Sequence, residues 1–130
     1  MKYLFTLLIV IVFAQFGFAQ DIFTDELDGT VMTYKYSGKN AYNVKLVDGN
    51  LSYRFLSGSK PEAWWGPFPY EAVKTENGEF MLAWYEEGYG DYVTLLINIE
   101  GKYLYGSAII AGKNGTKTNF EKAQISKVNR

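Results

Sequence analysis

The sequence predicts an all-β domain built as an antiparallel up-and-down barrel of about eight strands. Three observations carry this. Apolar and polar residues alternate over short runs, the period of a strand with two unlike faces. Tight-turn chemistry recurs between the runs, as Asp48-Gly49, Asn77-Gly78, Glu100-Gly101 and Gly112-Lys113-Asn114-Gly115. The runs follow one another so closely that each pairs most simply with the next, and eight meandering strands close into a barrel whose interior holds side chains or one small ligand.

Residues 30–36 form the first predicted strand, with Met32, Tyr34 and Tyr36 on one face. Ser37 to Asn40 turns the chain into a second strand over 41–47, where Tyr42, Val44 and Leu46 share a side. Asp48-Gly49 is a strong hairpin signal because both positions tolerate positive φ. The third strand, 51–56, places Leu51, Tyr53 and Phe55 together and turns Arg54 the other way. Residues 58–69 contain Pro61, Pro67, Pro69 and the pair Trp64-Trp65, and read as a long loop. Its two tryptophans either cover the mouth of a pocket or divide, one plugging the core and one lying on the surface. Strands four to eight are expected over 70–76, 79–86, 91–98, 102–110 and 116–128, the last weakened in its middle by Glu121, Lys122 and Gln124.

Ahead of the domain, Lys2 is followed by an apolar run over 4–13 and by Gly17-Phe18-Ala19. This is the pattern of a signal peptide cleaved after Ala19, and the run is short for a bilayer span of roughly 20 residues. The expected protein is therefore a single domain, 20–130, secreted or periplasmic, with no stable membrane anchor. Residues 20–28 make an acidic leader that forms either one capping turn or a loose arm.

The chain has no histidine and no cysteine. Disulfides, Ser–His and Cys–His catalysis and the usual zinc or copper sites fall away with them. No cofactor and no metal is expected. Thirteen basic residues face 14 acidic ones, and loss of Lys2 with the leader changes this by one unit, so no nucleic-acid partner is indicated. Aromatic residues are plentiful, with 11 Tyr, nine Phe and three Trp, of which Tyr3, Phe5, Phe13, Phe16 and Phe18 fall in the leader. They fill a β core, line a pocket, or do both.

The strand 79–86 singles out one group. Phe80, Leu82 and Trp84 occupy one face, and the next residue on that face is Glu86. A carboxylate that continues an apolar face acts as a general acid with a raised pKa, as a ligand anchor, or as the partner of a buried tyrosine. As the last residue of its strand it can also lie at the rim in water.

The segment Gly78-Glu79-Phe80-Met81-Leu82-Ala83-Trp84-Tyr85-Glu86, with Asp91-Tyr92-Val93-Thr94-Leu95, resembles the central hairpin of the MoaF and phenolic acid decarboxylase group. Tyr42 to Phe55 resembles the early hairpin of MoaF-like domains, and the likeness runs from about Thr30 to Ile110. It implies a lipocalin-like (calycin) barrel. In the decarboxylases a Glu two residues after the strand Trp donates a proton inside the barrel, and Glu86 stands at that place. The Tyr-x-Tyr pair that holds the substrate carboxylate is replaced here by Val44 and Leu46, and Ala63 stands where an Arg precedes the loop Trp. The MoaF-like side is the better fit.

The expected function is binding of a small apolar or aromatic molecule by Tyr34, Tyr53, Trp84, Glu86 and Tyr105, with Trp64 and Trp65 near the entrance. A lyase-type enzyme using Glu86 as general acid is the alternative, favoured if a second polar group stands a few ångströms from it. A protein-interaction module is the third reading, favoured by a solid interior and one patch uniting Tyr89, Tyr92 and Tyr103. Ligand identity and oligomeric state stay open.

Overall fold

The computed structural model describes residues 22–38, 40–57 and 62–130. The expected signal peptide, Pro61 and Lys39 lie outside them. Eight antiparallel strands form a closed barrel in chain order: β1 (Val31–Tyr36), β2 (Ala41–Val47), β3 (Asn50–Phe55), β4 (Trp64–Lys74), β5 (Phe80–Glu86), β6 (Asp91–Asn98), β7 (Tyr103–Gly112) and β8 (Gly115–Asn129). Each strand pairs with the next, and β8 closes on β1 with a register shift between Thr33 and Tyr34. No helix among the described residues is long and apolar enough to cross a membrane.

The expected strand faces hold. Met32 and Tyr34, Val44 and Leu46, Phe80, Leu82 and Trp84 are all buried. The β2–β3 turn takes positive φ at Asp48 (48°) and Gly49 (75°), as Asp-Gly permits. β8 runs unbroken through Glu121, Lys122 and Gln124 because the charges fall on suitable faces. Lys122 lies outside, over the rings of Tyr103 and Tyr105 at 5.0 and 5.6 Å.

One expectation is corrected. The loop read over 58–69 ends early, and β4 starts at Trp64 rather than Tyr70. Prolines usually mark a break because they cannot donate to a ladder. Here the first half of β4 pairs only with β3, and its pairing with β5 begins at Tyr70↔Trp84. Pro67 and Pro69 therefore sit where one side of the strand has no ladder to serve. The register shifts between Leu51 and Tyr53 accommodate Gly66, whose φ is 104°. A Cβ there would lie 2.8 Å from the Leu51 carbonyl oxygen, so only glycine fits.

The end of the barrel that carries the β2–β3, β4–β5 and β6–β7 turns is closed and filled. Leu46, Leu51, Leu82, Leu95, Ile97 and Leu104 are fully buried there. Each such side chain stabilises the fold by about 1.5–3 kcal/mol relative to exposure. A turn over residues 26–29 caps this end. Leu27 is buried beneath it, the Thr24 N–H donates to the Ala72 carbonyl, and Asp28 accepts from the Gly49 N–H and the Tyr70 hydroxyl.

Candidate functional site

Along the strands other than β4 the inward residues change character toward the opposite end. Met32 gives way to Tyr34 and Tyr36, Leu46 and Val44 to Tyr42, Leu51 to Tyr53 and Phe55, Leu82 to Trp84 and Glu86, and Leu104 to Gly106 and Ala108. On β8, Ile125 and Ala123 give way to Glu121 and Asn119. The interior opens at this level into a cavity of about 270 Å³ lined by these residues with Asp91 and Val93.

Glu86 stands in the wall of that cavity. It is only 4% exposed, so it is not the solvated rim residue that its place at the strand end permits. The Trp84 indole N–H, two residues away on the same face, donates to Oε1 at 3.1 Å. The Tyr53 hydroxyl, from β3, donates to Oε2 at 3.0 Å. Burial raises the carboxyl above its ordinary value of 4.5, the two hydrogen bonds pull it back, and Asp91 adds a further rise; the net direction is upward. Each carboxylate oxygen retains a lone pair beyond the one engaged.

The aromatic wall is continuous. Tyr34, Tyr36 and Tyr42 lie with ring centroids 5.5 to 5.7 Å apart. Tyr42 continues to Phe55 at 4.9 Å and to Tyr53 at 6.0 Å, and Tyr53 to Trp84 at 6.4 Å. Burial pushes the hydroxyls of Tyr34, Tyr36, Tyr42 and Tyr53 upward, and the Glu86 carboxylate raises Tyr53 further. They stay neutral donors at physiological pH. Gly106 makes the Tyr36 position possible, since a Cβ there would collide with the Tyr36 ring and hydroxyl.

Of the sequence-predicted residues, Tyr34, Tyr53, Trp84 and Glu86 come together in the cavity wall. Three do not. Tyr105 is on the outer face, between inward Leu104 and Gly106, and packs on Tyr103 at 6.0 Å. Trp64 also faces outward, held between Lys45 at 4.1 Å and Arg54 at 4.9 Å. Trp65 turns inward against the core and meets Tyr89 at 5.1 Å, outside the cavity lining. The tryptophan pair thus divides between core and surface, as adjacent strand residues must. Arg54 faces outward and pairs with Glu62 at 3.2 Å.

Several lining residues escaped the sequence reading. The alternation puts Tyr42 and Phe55 on the correct faces without marking them as pocket groups. Stepping back by twos from Ile125 and Ala123 leads to Glu121 and Asn119, so the signal was present in the alternation. Asp91 accepts from the Ala111 N–H of β7 at 2.9 Å, and it also lines the cavity. Among the described residues no group of acidic side chains is placed to hold a metal ion. Tyr89, Tyr92 and Tyr103 do not unite: Tyr89 packs on Trp65 and Phe68, while Tyr92 pairs with Ile109 and Tyr103 with Asn98, at opposite ends of the β6–β7 ladder.

No protein-family model matches the chain, and no curated protein matches its sequence. Among solved structures, the barrel is similar to the crystal structure of a "putative beta-lactamase" from Burkholderia vietnamiensis, with a TM-score of 0.61 and 14% identity over 77% of this chain and 93% of that one. At that identity the likeness shows the fold: this chain shares its barrel architecture with that protein.

Proposed function

We propose that this protein is an exported, MoaF-like barrel of the lipocalin type that binds one small aromatic or apolar molecule at its open end. The observation that carries the reading is the cavity of about 270 Å³ with a buried, doubly hydrogen-bonded Glu86 in its wall. An engineered apolar cavity of about 150 Å³ already takes up benzene, so a single-ring compound fits by size. A concave aromatic site with a few fixed polar groups is the usual form of a small-molecule pocket. Both Glu86 oxygens already accept protein hydrogen bonds, which suits a fixed acceptor that orients a ligand.

The test is a titration of tryptophan fluorescence with a hydroxycinnamate, a flavonoid, benzyl alcohol and a fatty acid. Saturable quenching by any of them, weakened in Glu86→Gln, supports the reading; no response to the panel counts against it. Export is tested by expressing the chain with its own leader and sequencing the processed N-terminus, expected at Gln20.

The Tyr53 hydroxyl at 3.0 Å from Glu86 favours a second reading, a lyase-type enzyme in which Glu86 donates a proton. In that case Glu86→Gln abolishes turnover of a bound compound while leaving its binding in place. The beta-lactamase description of the structural neighbour brings no residue of this chain with it.

A further inference from the structure

The charges around the cavity are of one sign. Glu86 is in its wall, Asp91 opens β6 beside it, and Glu121 reaches it from β8. No lysine or arginine is among the lining residues. The described cations on the neighbouring strands are turned away: Lys35 is exposed between inward Tyr34 and Tyr36, Lys45 and Arg54 rest on Trp64 outside the barrel, and Lys122 rests on Tyr103 and Tyr105. Lys117 stands further out on the β7–β8 ribbon, exposed, and Lys39 lies outside the described residues. Glu121 forms no ion pair among the described residues. Six aromatic side chains, Tyr34, Tyr36, Tyr42, Tyr53, Phe55 and Trp84, supply one side of the wall, and uncharged residues such as Val93, Ala108 and Asn119 complete it.

We infer that the ligand of this cavity carries an organic cation, a quaternary or protonated amine, seated among the tyrosine rings and facing Glu121 and Glu86. The inference rests on the small-molecule reading above and narrows it. Ring faces carry negative quadrupole potential and attract a cation lying over them, and a desolvated cage strengthens the attraction. The carboxylates add charge attraction in a site partly withdrawn from water. The same wall opposes an anion: a carboxylate ligand would meet three acidic groups and no described cation. The pocket therefore differs in charge from one built for a hydroxycinnamate.

The test compares choline with its uncharged carbon isostere 3,3-dimethylbutan-1-ol on the purified protein, by calorimetry and tryptophan fluorescence, beside benzyl alcohol and 4-hydroxycinnamate. Benzyltrimethylammonium provides a second cation with a ring. At least one cation is expected to bind about tenfold more tightly than the uncharged probes. Glu121→Gln, a change at a partly exposed side chain, is expected to weaken that cation about threefold or more and to weaken benzyl alcohol by less. The inference is overturned if a neutral probe or 4-hydroxycinnamate binds as tightly as the tighter-binding cation, or if neither cation binds. Binding of benzyl alcohol or 4-hydroxycinnamate alone would defeat the cation and leave the pocket standing. Silence from all probes would defeat both.

Discussion

The two halves of this barrel share the same eight strands and the same alternation, yet they do opposite things with their interiors. At the closed end the inward positions are apolar, mostly aliphatic with Phe80 among them, mutually packed and capped by the Leu27 turn. At the open end they become aromatic and acidic, and the same ring of strands encloses a cavity. On several strands the change is accomplished within two residues, as from Leu82 to Trp84 or from Leu104 to Gly106. One half supplies stability, which releases the other to carry buried polar groups that would be costly in a lone site.

Truncation separates the halves most strongly. Leu46→Ala or Leu95→Ala at the closed end should cost about 2–5 kcal/mol in urea denaturation, since both side chains are fully buried. Ligand affinity of the folded fraction should not change. Tyr53→Phe at the open end should cost less, about 1–3 kcal/mol, because it strips the donor from Glu86 Oε2. It should also raise the Glu86 carboxyl further, seen as a shifted titration of the Trp84 indole resonance.

A pH dependence sharpens the contrast. The Glu86 carboxyl is held above 4.5 in the folded protein, so the folded state keeps this proton to higher pH than the unfolded chain. The stability due to this group is complete below about pH 4.5 and is lost as pH rises through the raised folded value. Wild type should therefore lose stability relative to Glu86→Gln as pH increases over that window, by at most about 1.4 kcal/mol per pH unit. A parallel pH profile for the two proteins would remove Glu86 from the buried interior.

Gly106→Ala should displace the Tyr36 ring and weaken ligand binding, with the closed-end core untouched. The smallest effect belongs outside the barrel. Trp64→Ala removes the stacking of Lys45 and Arg54 and should cost about 0.5–1 kcal/mol. It should leave any ligand titration unchanged.

The fold was legible because its signals are local. Asp48-Gly49 marks a turn wherever it stands, and Phe80-x-Leu82-x-Trp84-x-Glu86 shows its two faces without reference to any other strand. The same logic carried Glu86 inward. The misplaced residues failed for non-local reasons. Tyr105 was chosen as an aromatic residue, but the phase of its strand is set by Leu104 and Gly106 and by pairing with Leu96. Pro67 and Pro69 make the stretch around Trp64 read as loop, and only the register with β3 shows that their strand has an open side. The cavity itself depends on which inward residues share a level around the barrel. Tyr36 and Gly106 are 70 positions apart in sequence, and nothing in either segment announces that one makes room for the other.

The contrast between a packed end and a ligand-taking end is tested most directly by the indole N–H resonances. The chain has three tryptophans, assigned by single Trp→Phe variants, and they report three places: Trp84 in the cavity wall, Trp65 against the core, and Trp64 outside. The protein is titrated with benzyltrimethylammonium, choline, benzyl alcohol and 4-hydroxycinnamate while these resonances are followed. The account predicts a saturable shift of Trp84 with at least one probe while Trp64 stays in place. Movement of Trp64 alone, or no movement of Trp84 with any probe, would contradict it.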